Sequence, residues 1–220
     1  MIGFLPAAKK SMSEPQQLSP VEARVLAVLV EKQATVPDTY PLSLNALVTG
    51  CNQKTAREPV MELSEAAVLE AIDSLRSYSL IIESSGGRVT KYGHNLPKVF
   101  QLPTPSVAIL TTLILRGPQT VAELRANCER LYRFADASSL EAFLEELAIR
   151  AANPLTILLP RAPGARESRW AHLLSGTPEL PAAPATRGAE SVGLAAEVAS
   201  LREEVMQLRA EVAELKALLA

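Results

Sequence analysis

The 220-residue chain is 48% hydrophobic with a formal net charge of −2; that is apolar material for one or two ordinary cores, without the basic excess that phosphate binding draws on. Its apolar runs, such as Val107 to Leu115, which stops at Arg116, fall short of the ~18 residues a membrane span needs, so a soluble protein with no membrane partner is expected. The two cysteines, Cys51 and Cys128, form no Cys-x-x-Cys pair; neither a disulfide framework nor a zinc site is indicated, and a reducing, cytoplasmic setting is expected.

In residues 1–17 a short apolar patch, Ile2 to Ala8, precedes Lys9 and Lys10. That order is the reverse of a secretory signal, and the segment reads as a disordered tail. Ser19-Pro20-Val21-Glu22 then opens a helix: Ser19 can cap it, Pro20 suits its first position and Glu22 can close a capping box. The helix should reach about Gln33, with Val21, Val25, Leu26, Leu29 and Val30 on its apolar face. Thr35 to Pro41 reads as a loop, and Ser43 can cap a second helix through Val48. A polar stretch, Cys51 to Glu58, follows. Ser64 caps a third helix bearing Val68, Leu69, Ile72 and Leu75, after which Leu80 to Ile82 and Arg88 to Tyr92 flank Gly86-Gly87 as a hairpin.

The same order then recurs. Pro105 to Arg116 is apolar and helical, Thr120-Val121-Ala122-Glu123 and Ser138-Ser139-Leu140-Glu141 are capping boxes, and Leu155 to Leu159 and Ser168 to Leu174 flank a second turn. Three helices and a hairpin, twice, describe two winged helices. Residues 177–193 turn to Pro, Ala, Gly and Thr with no apolar period, as a linker does. From there apolar residues alternate at spacings of four and three: Leu194, Val198, Leu201, Val205, Leu208, Val212, Leu215 and Leu219. Valine at a and leucine at d favour two parallel strands. Glu197, Glu204 and Glu211 at g face Arg202, Arg209 and Lys216 at e of a parallel partner, which a single helix docked on its own domain would not require. The expected fold is mainly α with small β-hairpins (α+β): a tail at 1–17, winged-helix domains at 18–100 and 101–176, a linker at 177–193 and a coiled coil at 194–220.

Several strings resemble the YceH-like family of uncharacterised bacterial proteins: Glu31-Lys32-Gln33, Tyr40 to Asn45, Cys51 to Thr55 with Arg57 to Met61, Arg88 to Tyr92, Leu115-Arg116-Gly117 and Arg166 to Arg169. The resemblance runs from about Leu18 to Gly176 and implies tandem winged helices; it implies no activity, and it does not extend to the coiled coil.

Between Leu18 and Gly176 there are 16 Lys and Arg and 16 Asp and Glu, so any functional field must come from their distribution. The helix from Ser64 carries Glu65, Glu70 and Asp73 against Arg76, and its counterpart carries Glu141, Glu145 and Glu146 against Arg150. Acidic helices are poor readers of the major groove. The wings are basic: Arg88, Lys91 and Lys98 in the first, Arg161, Arg166 and Arg169 in the second. The stretch Asn52, Gln53, Lys54, Thr55, Arg57, Glu58 offers donors and acceptors to a base, a phosphate or a protein backbone, or else is solvated or bonds to itself. Tyr92 and Trp170 either stack on a base or cover a core. His94 and His172 lack a neighbouring nucleophile motif, and no glycine-rich phosphate loop or metal spacing occurs, so no cofactor and no enzymatic activity are expected.

Two functions fit these features. One is a DNA-associated regulator that contacts a duplex through basic wings. The other is a protein-interaction adaptor, similar to kleisin-binding tandem winged-helix proteins, in keeping with the acidic helices. The heptads make either a parallel homodimer. Deleting everything after Gly176 should therefore lower the mass seen in light scattering from dimer to monomer while leaving helical content per domain largely intact. Leu208→Pro, at a cost of about 3 kcal/mol, should shift the equilibrium the same way; two variants that stay dimeric at low micromolar concentration place the contact elsewhere.

Overall fold

The computed structural model describes residues 17–85, 89–151 and 153–178. Arg88 and the heptads at 194–220 lie outside the described residues, as does the linker beyond 178. Chain order runs α1 (Pro20–Thr35), β1 (Leu42–Ser43), α2 (Leu44–Cys51), α3 (Glu65–Ser77), β2 (Ile81–Ser84) and β3 (Lys91–His94). A short helix α4 (Leu96–Phe100) leads to α5 (Thr104–Arg116), α6 (Val121–Cys128), α7 (Ala137–Ala148), β4 (Thr156–Leu158) and β5 (Trp170–His172). Among the described residues this is a mixed α+β protein with seven helices and small antiparallel sheets.

Most helices begin where the sequence places a side-chain cap. The Ser19 hydroxyl accepts from the Glu22 amide at 3.2 Å while Glu22 Oε2 accepts from the Ser19 amide at 2.6 Å, a complete capping box. Ser43, Ser64 and Thr120 accept from the amides of Ala46, Ala67 and Glu123. Helix α7 differs: Asp136, not Ser138, is its cap, because the Asp136 carboxylate accepts from the Ser139 amide at 2.7 Å and draws the helix start two residues earlier. Helix α2 runs on to Cys51, and β3 sits further along the chain than expected, ending at His94.

The repeat extends to the sheets. Strand β3 is central, with β1 and β2 antiparallel on either side; Leu42 lies opposite Tyr92, and Ile81 opposite His94. In the second half β4 pairs with β5, Leu158 opposite Trp170. The free edge of β5 is met by one residue: the Gln119 amide donates to Trp170 O at 3.0 Å and the Trp170 amide to Gln119 O at 2.7 Å. Gln119 thus stands where Leu42 stands, and each is followed by the residue that caps the next helix.

The core sits between the helices that open the two repeats. The expected apolar stripe on α1 is exceeded: Ala23 to Val30 are all buried, as are Ser106 to Leu115 on α5. A helix buried all round has neighbours on every side. Helix α1 packs on α2, α3 and β3 and also on α5, which packs on α6, α7 and β5. Both repeats therefore share one continuous core. Within it Thr111 and Thr112 satisfy their hydroxyls on the carbonyls of Val107 and Ala108, at 2.7 and 2.8 Å.

Close approach is tightest at Gly50, where a Cβ would lie 2.7 Å from Val28 Cγ1. In an exposed helix Gly→Ala gains about 1 kcal/mol. Here overpacking a fully buried valine costs about 1–3 kcal/mol, which offsets or exceeds that gain. Gly50→Ala should lower the urea midpoint, and adding Val28→Ala should recover part of the loss from the clash; a Gly50→Ala midpoint above wild type would show that α1 and α2 are not held this closely.

Candidate functional site

The outer faces of the repeats differ in sign by element. On α3 the exposed residues include Glu65, Leu69, Glu70 and Asp73. Its single cation, Arg76, is bound at 3.2 Å by both Asp73 and Glu83. On α7 Glu141, Glu145 and Glu146 are exposed and Ile149, just past its end, is 80% exposed. Arg150 does not balance them, since it donates to Phe100 O at 2.9 Å. Both surfaces are acidic with an apolar residue among the charges. Lys91, Arg161 and Arg166 are exposed on the hairpins and make no ion pair among the described residues. Arg169 is spent within the protein: it grips Glu123 with both terminal nitrogens, at 2.8 and 2.9 Å, and donates to Pro118 O at 2.9 Å. Tyr92 and Trp170 are both buried in the core.

The polar stretch after α2 turns largely inward. Arg57 has a fully buried side chain and meets Glu31 Oε2 at 2.6 Å; it also donates to Gly50 O and Ala56 O. Burial alone would push the Glu31 carboxyl up, but the hydrogen bond and charge of Arg57, with Lys32 beside them, hold it below the ordinary range. Asn52 clamps the far end of the loop, donating to Leu63 O at 2.8 Å and accepting from the Leu63 amide at 2.7 Å. Gln53 accepts from Lys32 at 3.2 Å and donates to Thr55, while Lys54 and Thr55 are exposed. Beneath the loop Arg24, 1% exposed, donates to Pro59 O at 2.7 Å and Cys51 O at 3.3 Å. Its Nε has no partner among the described residues, and burial, then the Arg57 charge, push its pKa down. Ala56 adopts the left-handed region at φ 57°, a conformation that costs a non-glycine residue energy and that the Arg57 anchor stabilises.

This loop meets the second repeat. The Glu58 amide donates to Leu115 O at 2.7 Å, and the Glu58 side chain lies against Gly117, whose φ of 73° bends the chain out of α5. Ala56, Glu58, Arg116, Gln119, Asn127 and Arg169 line an open cleft of about 360 Å³. Of the residues singled out in the sequence, the structure thus brings Arg57 and Arg169 to one place and leaves Lys91, Arg161 and Arg166 on the surface. Sequence reasoning marked Glu58 within the polar stretch but assigned no role to Arg24, Glu31 or Arg116. For Glu58 and Arg116 a sign was available in the strings on which the family resemblance rests, since Arg57-Glu58-Pro59, Leu115-Arg116-Gly117 and the string ending at Arg169 each bring a residue here. Among the described residues no group of three or more His, Cys, Asp or Glu could hold a metal ion. Burial pushes the free thiols of Cys51 and Cys128 up to about 12 and about 11.

Two helix-rich repeats on one core define a small α+β protein with its polar joint between the repeats. The chain belongs to the family described as "Protein of unknown function, DUF480", whose model matches residues 18–165. The UPF0502 protein of Methylibium petroleiphilum is 61% identical over 182 residues, covering 82% of this chain and 78% of that protein. That of Leptothrix cholodnii is 62% identical over 167 residues, 76% of this chain and 75% of that one. That of Cupriavidus necator is 65% identical over 159 residues, 72% and 65%.

His94 and His172 are partly buried, and that burial pulls both imidazoles down to about 4 from an ordinary 6.5. His94 Nε2 contacts Gln33 Oε1, and each Nδ1 is buried without a partner among the described residues. The unfolded chain takes up these protons below about pH 6.5, the folded one only near 4, so U binds more protons in that window and stability rises with pH. Their contribution is complete above 6.5 and is lost as pH falls to about 4. Glu31 and Glu123, held below an ordinary 4.5, add a further loss at lower pH. Thermal midpoints should therefore drop between pH 6.5 and 4, and the double variant His94→Gln, His172→Gln should flatten that part of the curve; a wild-type midpoint constant from 6.5 to 5 contradicts the burial of the rings.

Proposed function

We propose that the chain is a non-enzymatic protein-interaction adaptor made of two winged-helix modules and dimerised through residues 194–219. The winged-helix reading is supported by the order helix, strand, helix, helix, hairpin in the first repeat and by its recurrence in the second, with Gln119 in place of the short strand. The observation that carries the adaptor reading is the exposed surface of α3 and α7. In this architecture those helices would enter the major groove. Their free charges are Glu65, Glu70, Glu141, Glu145 and Glu146, and the cations beside them, Arg76 and Arg150, are turned to internal partners. Acid flanking Leu69 and Ile149 suits a basic, partly apolar protein segment, whereas a phosphate backbone would be repelled.

A second reading, contact with nucleic acid through the wings, is favoured by the exposed and unpaired Lys91, Arg161 and Arg166. The two part on charge reversal and on salt. Affinity capture from the native host should yield a protein that the wild type retains and Glu141→Lys, Glu145→Lys loses. Random duplex DNA at low salt should show no mobility shift at micromolar protein. A duplex shift that weakens by about one power of salt concentration per phosphate contacted, and that Arg88→Ala with Lys91→Ala abolishes, overturns the adaptor reading in favour of the wings.

A further inference from the structure

The cleft between the repeats carries charges that form no ion pair among the described residues. Arg57, behind its wall, is neutralised by Glu31 at 2.6 Å, and Arg169 by Glu123 at 2.8 Å. Two charged side chains remain. Arg116, half-buried at the end of α5, and Glu58, exposed on the facing loop, both line the cleft, and their side chains make no hydrogen bond or ion pair among the described residues. Between them the wall is neutral and hydrogen-bonding. Asn127 Nδ2 donates to Gln119 Oε1 at 2.6 Å, which leaves Asn127 Oδ1 as an acceptor. Gln119 is itself fixed, its amide nitrogen donating to the carbonyls of Thr112 and Gly117 at 3.3 Å.

We propose that this cleft binds a small zwitterion of the free α-amino acid class, its carboxylate on Arg116 and its ammonium on Glu58 with Asn127 Oδ1. An inorganic anion gains one guanidinium here but faces the Glu58 carboxylate. A simple amine meets the opposite mismatch. A ligand with one charge of each sign satisfies both walls, and guanidinium–carboxylate pairing supplies the directional contact. At about 360 Å³ the cleft lies at the small end of the ligand-site range, ~300–1,000 Å³. It is open and polar, which suits a small hydrophilic molecule better than a drug-sized apolar one. The walls come from both repeats: Glu58 follows α2, while Arg116, Gln119 and Asn127 belong to α5, α6 and the turn between them. A bound ligand therefore ties the 51–59 loop to the second repeat and favours the arrangement in which they are closed on each other. The proposal does not depend on whether the outer surfaces take protein or DNA.

The experiment uses the full chain and the twenty standard α-amino acids singly, read by thermal shift and then by isothermal titration. At least one amino acid should raise the melting temperature and titrate saturably. For that ligand, the decarboxylated amine and the deaminated acid should each bind about tenfold more weakly or worse. Arg116→Gln should remove the advantage of the intact amino acid over the amine, and Glu58→Gln its advantage over the acid. Neither side chain makes a hydrogen bond or ion pair among the described residues, so the unliganded circular dichroism of both variants should match wild type. Absence of binding by all twenty at millimolar concentration overturns the proposal. So does an amino acid bound no better than its two half-molecules on the wild type, inorganic phosphate competing as well as the amino acid, or affinity unchanged in both variants.

Discussion

The contact on which the structure depends is that of α1 against α5. Each opens its repeat and each is buried on every side along its middle, Ala23 to Val30 and Ser106 to Leu115. A small repeat with one hydrophobic helix and two amphipathic ones cannot cover the far side of that helix by itself. Apposing the two central helices solves the problem for both at once. Each buried valine, leucine or isoleucine contributes about 1.5–3 kcal/mol relative to exposure, so the shared layer holds the repeats together more firmly than the polar contacts at their edges. The polypeptide between Phe100 and Thr104 is short, and burial rather than the connection fixes the pairing.

Apposition has a polar consequence. The chain leaving α2 must pass beside the end of α5, where backbone groups would be buried without partners. Two interior arginines solve this from within the first repeat: Arg24 serves the carbonyls of Cys51 and Pro59, and Arg57 that of Gly50 while pairing with Glu31. Guanidinium groups suit the task because their donors fan out in one plane toward several acceptors. The network is more than a stability device, since a buried ion pair set against well-packed apolar side chains is often energetically neutral. What it fixes is the path of the 51–59 loop, including the left-handed Ala56, and with it the position of Glu58 at the joint.

Local signals in the sequence carried much of the fold. Caps at Ser19, Ser43, Ser64 and Thr120 act within four residues, so they could be read without knowledge of the rest of the chain. So could both hairpins, from their flanking turns. Elements set by distant partners were not legible. Strand β1 is two residues long and exists through β3, and Gln119 resembles a loop residue until Trp170 lies beside it. At the start of α7 the sequence points to Ser138 as the cap, whereas the Asp136 carboxylate is the group that reaches the Ser139 amide. The polar stretch from Asn52 to Arg57 shows the same limit on the functional side. Composition marked it as rich in donors, but which of them point inward depends on Glu31, an acid 26 residues away, and on Arg24, a cation placed among apolar neighbours on α1.

Charge is balanced overall in this protein and segregated in detail, and the segregation follows from the architecture. Hairpin tips project from the core and can carry uncompensated cations such as Lys91, Arg161 and Arg166 at little cost, because water screens them. The outer faces of α3 and α7 are held rigidly against that core, and a row of acids there presents a fixed field rather than a mobile one. At the joint the opposite rule applies. There, most charges are paired across elements, and among the described residues the half-buried Arg116 and the exposed Glu58 are the exceptions. A charge left unpaired on a hairpin tip needs no explanation, whereas the half-buried Arg116 forgoes a counterion that the joint could supply. In this molecule two such groups of opposite sign face the same cleft without meeting, and that separation is what a ligand of matching charge would close.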